Sequence, residues 1–246
     1  MRRKWSWLGK LAMTKAPMVQ VSWFDYAHHD TFAMKYRALL FDLDGTLVNS
    51  IDLYGEAVIE AFRSIGIAVG KEHFREWYGR AMHFRDWIAE FGYTEDDVPL
   101  LRRSRDEHYI ALLKEKVTWC KGAEEALNFL YGKIPLGLIT GSWKSYTDAI
   151  DERLGDNRYF QTIITSDDMG KFMKPHPHGL LLAADRLKVK PEDCLYVGDQ
   201  LFDVEAAQAA GMPCCIVHGK FTPDEAIQKA DIVVKSMREL KAVAEL

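Results

Sequence analysis

The spacing of apolar positions changes period along this chain, and each change marks a different element. Arg37 leads into an unbroken Ala-Leu-Leu-Phe block that ends at Asp42, and this predicts a strand over 36–42, buried on both faces. Leu53, Ala57, Val58, Ala61, Phe62 and Ile65 then recur at steps of three and four, predicting a helix from Ile51 to about Ile65 that Gly66 ends. From Lys71 to Val117 the only period is helical, in stretches such as EHFREWYGRAMHFRDWIAEFGY, and this predicts a bundle of roughly four helices. After Trp119 short apolar runs alternate with helical patterns. IPLGLITGS, FQTIITSDD, DCLYVGD, CCIVHG and a weaker ADIVV read as strands. GAEEALNFLYGK, SYTDAIDERLG, PHGLLLAADRLKV, LFDVEAAQAAGM and SMRELKAVAEL read as helices between and after them.

Strand–helix alternation implies an α/β fold, a parallel sheet with helices on both faces. Its first strand is separated from the rest by the all-helical block. The expected domains are a core made of 34–52 and 118–246, a helical cap over 53–117, and an N-terminal extension over 1–33. Met34 opens MKYRALLFDLDGT, where a compact domain can begin. The extension is basic and has no continuous apolar segment of signal-peptide type, and it is expected to carry no catalytic group. A basic, acid-free presequence is a weaker reading of the same residues.

Composition narrows the function. Apolar residues make up 48% of the 246, enough for a sizeable core. The formal charge is -4, so nothing in bulk attracts nucleic acid or an anionic membrane, and an anionic substrate must be drawn in locally. No apolar run approaches the ~20 residues that span a bilayer. Four cysteines, two of them adjacent, lack metal-ligand spacing and read as reduced thiols of a cytoplasmic protein. Oligomeric state leaves no mark in the sequence.

The chemistry lies where the strands end, because ligands of a parallel open sheet bind beyond the strands' carboxyl ends. Asp42 and Asp44 follow the first strand, Thr140, Gly141 and Ser142 the second, Lys174 the third, and Gly198, Asp199 and Asp203 the fourth. Asp42, Asp44 and Asp199 can share a hard divalent cation, and an all-carboxylate set without histidine or cysteine favours Mg²⁺. An ionised Asp42 can attack phosphorus, Asp44 can exchange protons with the leaving group and then with water, and Thr140 and Lys174 can hold the phosphoryl oxygens. Gly45, Gly141 and Gly198 leave backbone room for a phosphate. Blander roles compete: an acidic strand end capping the next helix, an N-cap threonine, a solvated loop lysine, and Asp203 favouring a helix N-terminus.

Four motifs in this order resemble those of the haloacid dehalogenase superfamily of phosphatases: DLDGT, LITGS, KPHPH with Lys174, and GDQLFD. The resemblance covers about 36–220, and within the superfamily the chain is most similar to the phosphoglycolate-phosphatase-like and beta-phosphoglucomutase-like group. It implies a Rossmann-like core with a helical cap inserted between the first two motifs. It also implies Asp42 as nucleophile, Asp44 as acid/base whose backbone carbonyl ligates Mg²⁺, Thr140 and Lys174 on the phosphoryl group, and Asp199 on the metal. Asp203 then holds the lysine or a metal-bound water. The second aspartate of DxD argues against dehalogenation. The expected activity is Mg²⁺-dependent hydrolysis of a small phosphorylated metabolite. The alternatives are a sugar phosphomutase and, more remotely, a non-catalytic phospho-binding or signalling module. Specificity is expected in the cap, which closes on hinges near 50–54 and 117–120, with Arg80, and less so His83 and Arg85, facing the leaving group. Trp77, Phe84, Trp87 and Phe91 are expected in the cap core.

Overall fold

The computed structural model describes residues 34–80, 82 and 84–245, so the expected extension over 1–33 and His83 lie outside the described residues. The first strand, β1 (Ala38–Phe41), is followed by four helices: α1 (Ile51–Ser64), α2 (Lys71–Gly79), α3 (Phe84–Ala89) and α4 (Val98–Lys116). The remainder is α5 (Ala123–Leu130), β2 (Leu136–Ile139), α6 (Lys144–Leu154), β3 (Thr162–Ile164), α7 (Ser166–Met169), α8 (His178–Leu187), β4 (Cys194–Gly198), α9 (Leu201–Ala210), β5 (Cys214–Val217), α10 (Asp224–Lys229), β6 (Ile232–Val234) and α11 (Leu240–Ala244). The strands form one parallel sheet in the order β3-β2-β1-β4-β5-β6. This is the inserted-cap α/β architecture expected from the alternation.

β1 is central and fully buried, as its unbroken apolar run requires. Alternate side chains leave a strand on opposite faces. Leu39 and Phe41 accordingly join one hydrophobic cluster with α5 and α6, while Ala38 and Leu40 join the other with α8 and α9. The same alternation separates Cys214 from Cys215, which enter different clusters, and all four thiols are free. The strand order reverses at β1, whose neighbours are β2 and β4, so the crevice at its carboxyl end receives loops from both halves of the sheet.

Two readings need correction. The block 71–117 holds three helices rather than roughly four, because 92–97 is a turn region closed by Thr94 and Asp97. Two short helices were not anticipated from sequence: α7, where SDD was read as the end of a strand but Thr165 and Asp168 form a capping box, and α10, whose signal was Pro223 ahead of Asp224 and Glu225 in the first turn. α1–α3 and the start of α4 bury their own aromatic cluster, in which Trp77, Phe84 and Trp87 are central. Phe91 lies at its rim, 38% exposed, with its ring 5.3 Å from that of Phe62. No described helix is long and apolar enough to cross a membrane.

Candidate active site

β1 stops at Phe41 and delivers Asp42 to the sheet edge, where its N–H bonds the Val197 carbonyl of β4 at 2.8 Å. The chain then turns through Gly45 at φ +86°, and a Cβ there would meet Asp199 Oδ2 at 2.6 Å. Glycine is therefore required twice, by backbone conformation and by the approach of β1's loop to that of β4. Gly45→Ala should displace Asp199 and lower kcat by about 10²-fold, the usual effect of a displacement near 1 Å. Parallel measurement of kcat and of circular dichroism checks this; wild-type kcat in the alanine variant contradicts it.

Three buried carboxylates, Asp42, Asp199 and Asp203, place oxygens within 4.8 Å of one another. Lys174 lies among them, its Nζ donating to Asp42 Oδ1 at 2.6 Å, Asp203 Oδ1 at 2.7 Å and the Tyr196 hydroxyl at 2.9 Å. Burial opposes the ammonium charge, but Asp203 and Asp42 outweigh it and hold Lys174 protonated above its ordinary value. One lysine does not neutralise three acids. Burial first, then the unrelieved repulsion of Asp203 and Asp44, raises Asp42 to about 7 against the pull of Lys174. Burial and the charges of Asp42 and Asp203 likewise raise Asp199 well above the carboxylate range.

The four motifs thus meet at one point, but their carboxylates are not equivalent. Asp203 is saturated: Oδ2 accepts from the N–H groups of Asp199 and Gln200, and Oδ1 from Lys174 and Tyr196. It fixes the loop and the lysine. Asp199 accepts from Thr46 Oγ1 at 3.1 Å and Gln200 Nε2 at 2.6 Å. Asp42 Oδ2 has no hydrogen bond among the described residues. The Asp44 carboxylate stands outside this cluster and faces hydroxyls: Ser50 at 2.5 Å, Ser142 at 2.7 Å, Thr140 at 3.3 Å and Tyr109 at 3.4 Å. Thr140 is fully buried and takes the Ser142 N–H on its Oγ1, while Gly141 carries the backbone between them. Hard oxygen donors in an excess of negative charge fit a divalent cation of the Mg²⁺ type, and nothing soft is offered by the set.

Several groups at this site were not singled out from sequence. Ser50 carries no diagnostic pattern; Gln200 lies inside GDQLFD, and Ser142, which closes LITGS, was noted after the second strand, but neither was given a role, and their contacts with Asp199 and Asp44 appear only in space. Tyr109 and Arg105 come from α4, one helical turn apart. Arg105 is 4% exposed, with Nη1 2.9 Å from the Tyr54 hydroxyl, Nη2 3.3 Å from the Tyr146 hydroxyl, and the guanidinium 4.5 Å from the Phe84 ring centroid. Its charge partner is Asp106. Arg80, by contrast, is exposed at the end of α2 and pairs with Glu76 at 3.4 Å, and Arg85 lies on an exposed helix face.

Comparison with known proteins agrees with this geometry. Residues 39–217 match the model of the haloacid dehalogenase-like hydrolase family. Phosphoglycolate phosphatase of Escherichia coli K12 is 31% identical over 229 residues, covering 83% of this chain and 90% of the relative. The corresponding protein of Shigella boydii is 32% identical over the same shares. Among solved structures, CbbY from Rhodobacter sphaeroides in complex with phosphate superposes with a TM-score of 0.73 at 27% identity, covering 86% of this chain and all of that one. Beta-phosphoglucomutase from Clostridium difficile has a TM-score of 0.70 at 24% identity, covering 85% of this chain and 96% of that one, a likeness of fold. With its motifs converging at one sheet edge and the family match running from β1 to β5, the chain belongs to the haloacid dehalogenase-like hydrolases and is a phosphoric monoester hydrolase.

Proposed function

We propose that the protein hydrolyses a small phosphate monoester carrying a second anionic group, through an aspartyl-phosphate on Asp42, with Mg²⁺ as cofactor. The observation that carries this reading is the arrangement of Asp42: one oxygen fixed by Lys174 at 2.6 Å and the other without a hydrogen bond among the described residues, within a cluster of three buried carboxylates. Asp42 and Asp199 would hold the cation with the backbone carbonyl of Asp44, and the bound Mg²⁺ would supply positive charge for the phosphoryl oxygens.

The chain's own groups do the rest. Asp42 Oδ2 attacks phosphorus in line with the leaving oxygen, and Lys174 and Thr140 bind the equatorial oxygens as their charge rises. Asp44 gives its proton to the leaving alkoxide, then takes one from the water that opens the acyl phosphate. To do so it exchanges its hydroxyl partners for the substrate, and one of those partners, Tyr109, belongs to the helical insertion. Closure of that insertion, here assigned to 53–117, is thereby linked to the position of the acid/base. Closing also excludes water.

Arg105 is the proposed reader of the second anion. It lies one turn of α4 from Tyr109, whose hydroxyl reaches Asp44, and shares Tyr54 and Tyr146 with it as neighbours. The partly exposed Asp106 can swing aside and leave the buried Arg105 to a substrate carboxylate or phosphate. The name of the E. coli relative fits a substrate of this kind.

The test is phosphate release from a panel including phosphoglycolate, sugar mono- and bisphosphates, nucleotides and an aryl phosphate, with Mg²⁺ and with EDTA. Mg²⁺-dependent release, fastest on esters with a second anion, is expected. Isomerisation of a hexose phosphate without release would instead point to a mutase. Arg105→Gln should reduce kcat/KM on two-anion esters by roughly 10–100-fold, the worth of a charge-assisted hydrogen bond, and spare an aryl phosphate. Equal losses on both classes would remove Arg105 from recognition.

A further inference from the structure

The loop after β5 crosses from the sheet domain into the helical insertion at one residue. Phe221 follows Val217 by four positions, yet it packs against the aromatic cluster of α1–α4. Its ring meets that of Tyr78, on α2, at 5.4 Å between centroids and 67° between planes. Tyr78 also lies 5.6 Å from Phe74, so the contact continues into the insertion's own core. On the other side, the Phe221 carbonyl accepts from Gln200 Nε2 at 3.2 Å, and the same nitrogen donates to Asp199 Oδ2 at 2.6 Å. A continuous path thus runs from α2 through two aromatic rings and one amide to an acidic residue of the site. The Tyr78 hydroxyl feels that site directly: burial, then the charges of Asp199, Asp44, Asp42 and Asp203, hold it well above an ordinary phenol. The neighbouring Lys220 pairs with Asp52 at 2.8 Å, in the first turn of α1 where the chain enters the insertion.

We infer that Tyr78 and Phe221 form a latch that holds the helical insertion closed over the active site, and that Gln200 makes latch closure a condition for the correct placement of Asp199. Tyr78 and Phe221 are positioning residues in this scheme. The inference rests on the proposed phosphatase reading for its kinetic consequence but not for its structural one. An edge-to-face pair is weak enough to open in every cycle, which a lid must do for product to leave. The latch would discriminate by size: a small ester is turned over with the pair closed and Asp199 placed, whereas a bulky one holds the pair open, reacts more slowly and so loses little when the pair is removed. This places part of substrate selection in the loop 218–222 rather than in the helical insertion alone.

The experiment uses the full chain with Phe221→Ala, Tyr78→Ala and the double variant, and Phe221→Tyr as the conservative control. Hydrogen exchange in the absence of substrate is the readout independent of activity. Each alanine variant should speed exchange of α2 amides by roughly two- to tenfold, the worth of one aromatic pair, with β1 and β4 amides unchanged. The double variant should be no worse than the worse single one, since the two residues act through one another. In kinetics, KM for the best small ester should rise by a similar factor, the ratio of aryl-phosphate to small-ester turnover should increase, and Phe221→Tyr should restore both. Unchanged exchange in α2, additive single effects, or equal loss on all esters would each overturn the latch. Should the wild-type protein release phosphate from no ester, the phosphatase reading falls, while the exchange result still decides the latch.

Discussion

Asp42→Asn should abolish phosphate release, by about 10⁴-fold or more, and leave the fold intact. The side chain keeps its shape, and its amide oxygen can still accept from Lys174. It has no carboxylate to attack phosphorus. Lys174 is not stranded, because Asp203 at 2.7 Å and the Tyr196 hydroxyl at 2.9 Å remain. The expected protein therefore still binds esters but does not turn them over. Acid quench and intact-mass measurement provide a second check: a phosphoryl adduct should accumulate transiently on wild type and never on the variant. The companion Asp44→Asn should behave differently. It retains the nucleophile and loses the acid/base, so its activity should fall by roughly 10²–10⁴-fold on alkyl esters; on an aryl ester, whose leaving group needs no proton, the first release of the phenol should be spared while turnover still slows, because the water that opens the acyl phosphate has lost its base. A wild-type rate for Asp42→Asn would place the chemistry elsewhere in the chain.

The separation of these two aspartates could be read from the sequence only in outline. DLDGT sets Asp42 and Asp44 two residues apart, and on an extended chain both would face one way. In the structure the strand ends at Phe41 and Gly45 turns the chain, so Asp42 meets Lys174 while Asp44 meets four hydroxyls, from Ser50 just before α1, from Tyr109 of α4 and from Thr140 and Ser142 after β2. Local periodicity reports where a strand ends, and the α/β alternation reports that several strand ends must meet. Together they locate Asp42, Thr140, Lys174 and Asp199 before any coordinates. They cannot report partners that arrive from helices crossing over the sheet. Arg105 and Tyr109 occupy a helix whose sequence, LLRRSRDEHYIALLKEK, offers several arginines of equal standing. Only packing against Tyr54, Phe84 and Tyr146 distinguishes Arg105 from the exposed Arg103 beside it. Arg80 is a different case: Glu76 stands four residues before it, the spacing of a solvated helix pair, and that ordinary reading is the one the structure shows. Phe221 shows the limit still more clearly, a lone aromatic in a polar loop that packs with the insertion rather than with the sheet domain.

Packing also explains a carboxylate that takes no part in catalysis and sets the second large expectation. Asp156 opens the short turn between α6 and β3, beside Tyr159 of the main hydrophobic cluster. It has no exposed surface, and neither carboxylate oxygen has a hydrogen-bond partner among the described residues. Burial first, and the charge of Asp151 second, raise it from an ordinary 3.8 to about 7. An acid raised in the folded state binds its proton more tightly there than in the unfolded chain. Its contribution to stability is therefore fully present below about 4, is lost as pH rises from there to about 7, and stays lost above. The loss corresponds to at most ~4 kcal/mol, a large share of a typical domain's stability. Asp156→Asn keeps the volume and removes the titration. Urea unfolding should find the variant more stable than wild type by about 2–4 kcal/mol at pH 8 and by less than ~1 kcal/mol at pH 4. Asp42 and the other site acids titrate in both proteins, so their contributions cancel in the difference. Activity at pH 8 should be unaffected, since Asp156 touches none of the groups on the reaction path. A difference that does not change with pH would mean that Asp156 is ionised and solvated in the folded protein. A variant less stable than wild type at pH 8 would mean that the carboxylate has a cationic partner. Either result would remove the argument for a buried neutral acid.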